Sequence, residues 1–234
     1  MNYLSQNIQN ALNQLGVATP QDIAQIGAVK AFLLLKELDL TLTKSVLWRL
    51  DATARGVSLG EIDDTRKQQL SGSLNNHPPV AIFPSVAKMQ HFMSIALAEA
   101  QKAAQQGEVP VGAVVVQNGT VIATAHNTCE KDGLIFHHAE INALTQAAKV
   151  CGTSRLCDCD LYITLEPCLM CAGAIMHARI RRLIFAAYEP KTGVAGSLKN
   201  VFADKKLNHH TAVLGEICKK DAQNVLKAFF SCKR

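Results

Sequence analysis

The sequence predicts an α/β protein in which a three-layer α/β/α domain, built on a mixed five-stranded sheet, follows a small all-α domain. Three observations predict it. Apolar residues recur at helical spacing in the first third of the chain, strand-like and helix-like runs alternate in the rest, and a stretch rich in Pro, Ser and Asn separates the two regions. A hairpin followed by alternating helices and strands forms a sheet that helices cover on both faces.

Composition and charge exclude several broad classes of protein. The chain has 234 residues, of which 48% are hydrophobic and 18% charged, so it is not intrinsically disordered. No apolar run predicts a membrane span and the N-terminus lacks a signal-peptide pattern, so we expect a cytoplasmic protein with no membrane partner. The net charge of +5 arises entirely after residue 84, and this excess favours a polyanionic partner.

The Pro-, Ser- and Asn-rich stretch places the domain boundary. We expect an all-α domain over residues 1–76, a linker over 77–84 and a second domain over 85–234. A first domain of this length can fold alone, but it buries little surface and is only marginally stable.

Short motifs predict where helices begin in the first domain. Thr19 followed by Pro20 is typical of an N-cap with proline at the first helical position. Apolar runs predict helices over 29–38 and 43–55, and Ser58–Glu61 has the pattern of a capping box.

This first domain resembles the C-terminal domain of TfoX, a small helical module related to helix-hairpin-helix units. The resemblance covers roughly residues 8–72 and consists mostly of packing positions. The matching phrases are 15–17, 22–23, 27–32 and 47–50.

In the second domain, Asn118 and Gly119 predict the two-residue turn of an antiparallel hairpin. Period-two and β-branched runs predict the strands, and amphipathic runs predict the helices. The predicted strands are 111–117, 120–125, 161–164, 182–187 and 211–214. The predicted helices are 86–106, 139–149, 169–178 and 217–230.

Two short motifs in this domain have the residue types and spacing of a metal site. His138 precedes one predicted helix, and Cys168 and Cys171 lie in the first turn of another, where a spacing of three puts both sulfurs on one face. The positive helix N-terminus favours thiolates, which are good zinc ligands. Three protein ligands leave a fourth position for water, so the pattern predicts one catalytic Zn²⁺ per subunit.

Glu140 is the predicted catalytic residue. Two residues from His138, it is poorly spaced to be a ligand but well placed to pass a proton from zinc-activated water to a substrate ring. A CxxC pair alone could be a redox pair or half of a structural zinc site. His-x-Glu followed by Pro-Cys-x-x-Cys is much more specific, because it is the signature of zinc-dependent nucleobase deaminases.

Other histidine and cysteine residues leave alternatives open. His137 is adjacent to His138 and could compete with it as a ligand, although the spacing to Glu140 favours His138. Cys151, Cys157 and Cys159 could form a second metal site, although we expect ordinary thiols because no pair of histidines accompanies them.

Residues 86–234 resemble the bacterial tRNA-specific adenosine deaminases of the cytidine deaminase superfamily. The matching phrases are 108–114, 138–141, 162–168, 171–174 and 191–197. The resemblance implies a cytidine-deaminase-like fold, a homodimer, and hydrolytic deamination of adenosine to inosine at the wobble position of tRNA anticodons. In this family the target base of the anticodon stem-loop is unstacked and held in a pocket.

The resemblance also assigns expected substrate contacts. Asn127 matches the asparagine that hydrogen-bonds the flipped base, and Val111 and Ala139 match positions that line the base pocket. Lys191 matches a loop that faces the RNA. Glu189 stands where the family often has Asp, so the acid is kept on a longer side chain.

Two other functions compete with this interpretation. The chain could be a zinc deaminase of free nucleobases or nucleosides, although its positive charge and the Lys-Thr-Gly phrase at 191–193 argue against that function. It could also be a regulator that acts through the N-terminal helical domain. The intact Glu140 argues against the regulator, because a purely structural zinc site needs no proton shuttle.

Overall fold

A computed structural model describes residues 3–232 of the chain. The contacts divide it into two units, Met1–Ile82 and Phe83–Arg234, which we call the N-terminal unit and the C-terminal unit. The basic residues Lys233 and Arg234 lie outside the described residues. No helix among residues 3–232 has both the length and the apolar character that a membrane crossing requires.

The N-terminal unit is helical. Its helices are α1 (Gln6–Gln14), α2 (Pro20–Ile26), α3 (Ala28–Lys36), α4 (Lys44–Arg55) and α5 (Asp64–Asn76), with a 3₁₀ turn at Leu59–Glu61. The predicted start of α2 is confirmed in detail. The Thr19 hydroxyl accepts a hydrogen bond from the Asp22 amide, and the Asp22 carboxylate accepts one from the Thr19 amide. Two amides that have no partner inside the helix are satisfied in this way.

Apolar faces of these five helices form the core of the unit. Phe32, Leu35, Leu47 and Leu50 are almost completely buried in it. Helix α5 is also tied to α4 by an ion pair, in which Arg66 Nη2 lies 2.6 Å from the buried Asp51 Oδ1.

The C-terminal unit contains one mixed sheet with helices on both faces. Its helices are α6 (Val86–Gln105), α7 (Cys129–Asp132), α8 (Ala139–Cys151), α9 (Leu169–His177) and α10 (Lys219–Cys232). Its strands are β1 (Gly112–Gln117), β2 (Thr120–His126), β3 (Cys159–Leu165), β4 (Arg182–Ala187) and β5 (Ala212–Leu214), in the spatial order β2-β1-β3-β4-β5. The predicted fold class is confirmed.

Alternate residues of the strands face two different helical layers. On one face, β1 residues Ala113 and Val115 share a buried cluster with residues of α8 and α9. On the other face, Val114 and Val116 pack with residues of α6 and α10. All four side chains are buried, as expected for a strand inside a sheet that is covered on both sides.

Backbone geometry explains where turns and helix starts fall. Asn118 and Gly119 have φ angles of 50° and 80°, the left-handed pair that a type I′ hairpin turn requires, so the predicted hairpin is confirmed. The last helix begins at Lys219 rather than at residue 217, because Glu216 and Cys218 adopt positive φ angles that no helix accommodates.

The sheet topology places the starts of α8 and α9 near each other. Strand β1 is antiparallel to both β2 and β3, so β2 and β3 run in the same direction. The C-terminal ends of β2 and β3 therefore lie at the same end of the sheet. From that end the chain continues from β2 toward α8 and from β3 toward α9, and both predicted metal-binding motifs lie there.

Candidate active site

Three predicted metal ligands converge at the starts of α8 and α9. His138 is the N-cap of α8, Cys168 is the N-cap of α9, and Cys171 lies one turn into α9. His138 Nδ1 is 3.8 Å from Cys168 Sγ and 3.4 Å from Cys171 Sγ, and the three atoms all lie within 4.8 Å of one another. Within residues 3–232 this is the one group of three or more His, Cys, Asp or Glu residues with such geometry.

The electrostatics of the group favour a thiolate. The Cys171 thiol and then His138 hydrogen-bond to the Cys168 sulfur and lower the pKa of Cys168 to about 4. The opposite effect holds for Cys171, whose pKa is raised because it donates to Cys168 and because it is buried. The hydrogen bond with Cys168 also raises the pKa of His138. The arrangement therefore places negative charge on Cys168, where a cation would be attracted.

The donor set fits a zinc ion. Zinc prefers nitrogen and sulfur ligands in a tetrahedral arrangement with bonds of about 2.0–2.3 Å, which puts neighbouring donors roughly 3.4–3.8 Å apart. The two measured nitrogen–sulfur distances lie in this range. Because a ligating cysteine must be a thiolate, the low pKa of Cys168 is a second observation in favour of the fit.

Glu140 lies in the first turn of α8 and is 4% exposed. Burial raises the pKa of its carboxyl group, and interactions with His138 and Cys171 only partly oppose this effect. A carboxyl group that is shielded from bulk water beside a metal site can take up and release a proton during a reaction.

The predicted base-contact residues form a second group beside the first. The Asn127 side chain is buried, and its Oδ1 accepts a hydrogen bond of 2.8 Å from the Ala139 amide. The Asn127 amide donates to the Val111 carbonyl over 3.2 Å. Because Oδ1 is held by an N–H donor, the orientation of the carboxamide is fixed and Nδ2 has no hydrogen-bond partner within residues 3–232.

Glu189 and Lys191 lie on the loop over residues 189–197, which we call the 189–197 loop. Lys191 is exposed, and its amide donates to Glu189 Oε1 over 2.8 Å. The loop is attached to the cysteine motif, because Gly193 forms an antiparallel bridge with Cys168 and the Val194 amide donates to the Pro167 carbonyl.

Residues that could have competed for these roles have other partners. His137 is held by Asp132, whose Oδ2 lies 2.6 Å from His137 Nδ1, so the structure brings His138 and not His137 to the cysteines. Cys159 is fully buried. Burial is the main cause that raises the pKa of its thiol to about 12, and the nearby Cys151 thiol adds to the effect. These two thiols, with the exposed Cys157, form no metal-type group among the described residues.

Two residues that support the site were not singled out by the sequence. Asn142, on α8, donates from Nδ2 to the carbonyl of His126, to the Thr128 hydroxyl and to the carbonyl of His137, so it holds the segment between β2 and α8. Glu166 is buried beside the cysteine motif and binds the 189–197 loop. Their partners come from distant or irregular parts of the chain, so no local pattern signals these roles.

Family comparisons agree with this geometry. A family model of MafB19-like deaminases matches residues 87–234, which is more than half of the chain. A model of the TfoX C-terminal domain matches residues 2–74. Both resemblances that the sequence indicates are thereby confirmed.

Individual relatives give the same result. The chain is 42% identical to a tRNA-specific adenosine deaminase of Bacillus subtilis, in an alignment that covers 59% of this chain and 86% of the relative. It is 41% identical to a tRNA-specific adenosine deaminase of Agrobacterium fabrum, in an alignment that covers 64% of this chain and 98% of the relative. A solved structure from a study of A-to-I editing by tRNA:A34 deaminases is 41% identical, with a TM-score of 0.57 over 58% of this chain and 99% of that chain. The chain therefore belongs to the MafB19-like deaminases and to the family of tRNA-specific adenosine deaminases.

Proposed function

We propose that this chain deaminates adenosine to inosine at the wobble position of tRNA anticodons. One observation carries the proposal. A His/Cys/Cys donor group and a buried glutamate meet at two helix starts, in a chain whose relatives are tRNA-specific adenosine deaminases. We keep the domain bounds of the sequence prediction in this proposal: a TfoX C-terminal-like domain over 1–76, a linker over 77–84 and a zinc-dependent deaminase domain over 85–234. Because tRNA is the substrate, we place the reaction in the cytoplasm.

The metal site is assigned to His138, Cys168 and Cys171. A zinc ion in this position would acidify a water molecule, so that a nucleophile is available near neutral pH. The positive ends of α8 and α9 face the same region and stabilise the thiolate there. The three side chains project from the first turns of helices packed on the sheet, so their positions are fixed before substrate binds.

Glu140 is assigned the proton transfers. It takes a proton from the attacking water and delivers it to the ring nitrogen next to carbon 6 of adenine. It then takes the second proton of the former water from the hydroxyl now bonded to carbon 6 and passes it to the amine. The bond from carbon 6 to the amine breaks, ammonia leaves, and the water oxygen becomes the carbonyl oxygen of hypoxanthine. The burial of Glu140 keeps bulk water away from these transfers.

Asn127 is assigned to the base, with Val111 and Ala139 forming part of the pocket wall. The Asn127 oxygen is already bonded to the Ala139 amide, so the free Nδ2 offers the base a hydrogen-bond donor. Lys191 is assigned to an RNA phosphate and Glu189 to ordering the turn that presents it, since Glu189 accepts from the Lys191 amide.

The homodimer stays a prediction, which the exposed apolar side chains of Leu169 and Met170 beside Cys168 support.

An assay with matched RNA substrates tests the function. The purified full-length chain is incubated with an anticodon stem-loop that carries adenosine at the wobble position, with the same RNA carrying that adenosine elsewhere in the loop, and with free adenosine. Mass spectrometry then measures inosine. We expect inosine in the first substrate alone. Equal deamination of free adenosine would instead identify a nucleoside deaminase, and no inosine in any substrate would favour the regulator.

Replacement of Asn127 by aspartate tests its role in base recognition. Asn127→Asp keeps an oxygen for the Ala139 amide but loses the Nδ2 donor. We expect kcat/KM for the stem-loop to fall about 10- to 100-fold, because the substrate acceptor is left unpaired in a buried pocket. Steady-state kinetics measure this. Zinc content should be unchanged, whereas thermal stability should fall, because the new carboxylate is buried with a single N–H donor. Wild-type kcat/KM in this variant would show that Nδ2 does not contact the base.

A further inference from the structure

Glu166 is a buried carboxylate whose partners all come from the 189–197 loop. It follows β3 directly, and its side chain is 3% exposed. Its Oε1 accepts hydrogen bonds from the amides of Ala195 (2.7 Å) and Ser197 (2.9 Å). Its Oε2 accepts from the Glu189 amide (3.0 Å) and from the Ser197 hydroxyl. Four donors on two oxygens match the ionised form, which accepts hydrogen bonds only.

The buried Glu166 carboxylate has no cationic partner among the described residues. Within residues 3–232, no Lys, Arg or His forms an ion pair with Glu166, in contrast to the buried Asp160, which Arg182 holds through two contacts of 2.6 Å. A buried charge without a counterion is costly unless hydrogen bonds replace its hydration. The conformation of the 189–197 loop and the burial of Glu166 therefore depend on each other.

The fit between the loop and Glu166 is close. A Cβ atom on Gly193 would lie 2.3 Å from Glu166 Oε2 and 2.5 Å from the Glu189 carbonyl oxygen, so this position has room for glycine alone. Gly193 is also the residue whose backbone bridges to Cys168. The loop is thus held from two directions, by the backbone of the cysteine motif and by the carboxylate two residues before Cys168.

We propose that Glu166 is a positioning residue for the active site, whose carboxylate clamps the 189–197 loop against the turn that carries Cys168. It touches neither substrate nor metal. It fixes the end of the loop that bears Glu189 and Lys191 relative to the Cys168 sulfur, and so fixes where an RNA backbone lies relative to the reacting base. The consequence for RNA rests on the proposed function, whereas the clamp itself is a property of the folded chain.

Glu166→Gln tests the clamp with almost no change of shape. Whichever way the new amide is oriented, its NH₂ group faces N–H or O–H groups that donate hydrogen bonds to the carboxylate in the wild-type chain. A donor then faces a donor, and these hydrogen bonds are lost. We expect hydrogen exchange of the 189–197 amides to accelerate at least about tenfold, and KM for the anticodon stem-loop to rise about 5- to 100-fold. The value of kcat and the zinc content should change less than about threefold, a split that general destabilisation would not produce.

Asp160→Asn is the matched control. Asp160 is also buried and lies on β3, but it bonds Arg182 rather than the loop. Its variant should lower the stability of the C-terminal unit without selective exchange in residues 189–197. If Glu166→Gln fails to fold, Ser197→Ala removes only the hydroxyl donor and keeps the Ser197 amide. It should give a smaller increase in exchange, confined to the loop.

The outcomes separate the clamp from the proposed function. Faster exchange confined to the loop, in a chain that does not edit RNA, supports the clamp and contradicts the function. Editing by the wild-type chain, with loop exchange and KM in Glu166→Gln equal to those in Asp160→Asn, overturns the clamp and leaves the function standing. Loop exchange in Ser197→Ala equal to that of the wild-type chain likewise overturns it.

Discussion

Glu140→Ala is expected to lower the rate of inosine formation about 10²- to 10⁴-fold, the range that a positioned acid–base group contributes. The carboxyl group is buried beside His138 and Cys171, and our proposal assigns the proton transfers to it. Zinc content should remain near one per chain, because the three donors of the metal group are untouched. Single-turnover kinetics on the stem-loop measure the chemical step directly.

Two further variants sharpen this result. Glu140→Gln keeps the shape of the side chain but cannot exchange a proton, so it should be as impaired as alanine. Glu130→Gln removes a carboxylate that is exposed on α7, and it should have the wild-type rate. A fully active Glu140→Gln variant with normal zinc content would show that another group carries the proton.

Cys168→Ala is expected to weaken zinc binding more than about 100-fold, because loss of a ligand should exceed the 10- to 100-fold cost of removing a residue that only supports one. Cys168 has the lowered pKa in the group, so its removal takes away the thiolate that attracts the cation. Metal analysis after dialysis should show little zinc, and inosine formation should be lost with it.

Cys157→Ala provides the matched control, because Cys157 is exposed and lies outside the donor group. It should retain zinc and activity. His138→Ala and Cys171→Ala should behave like Cys168→Ala, which would establish that three donors act as one site. Full zinc occupancy in Cys168→Ala would mean that the metal is held elsewhere.

Local patterns in the sequence predicted most elements of the C-terminal unit. The Asn118-Gly119 turn and the strand over 182–187 were placed correctly, because turn chemistry and alternation of side chains are local properties. Helix α5 was not predicted, since Gly72 and its serine neighbours are typical of loops. The helix forms because Leu70 and Leu74, one turn apart, pack on the core of the N-terminal unit, a contact that local propensity does not contain.

The residues of the candidate site likewise fall into those that local patterns predict and those that depend on contacts between distant parts of the chain. The metal donors could be predicted because their spacing within each motif is local, and topology then brings the two motifs together. Glu166 could not, because its donors lie 23 to 31 residues further along the chain. For Asn127, the resemblance predicted a contact with the base, whereas the hydrogen bond from the Ala139 amide at the start of α8 to its side-chain oxygen is visible only in the structure.

The proposed metal donors lie at the starts of α8 and α9, not in the middles of these helices. Extra residues inserted beyond the far end of α8, in the exposed connection over residues 152–155 that precedes the buried Leu156, would lengthen a surface loop without shifting the donors. That connection is consequently a graft point for an affinity tag or a fused module. Engineering can vary the periphery of this enzyme while its reaction centre keeps its geometry.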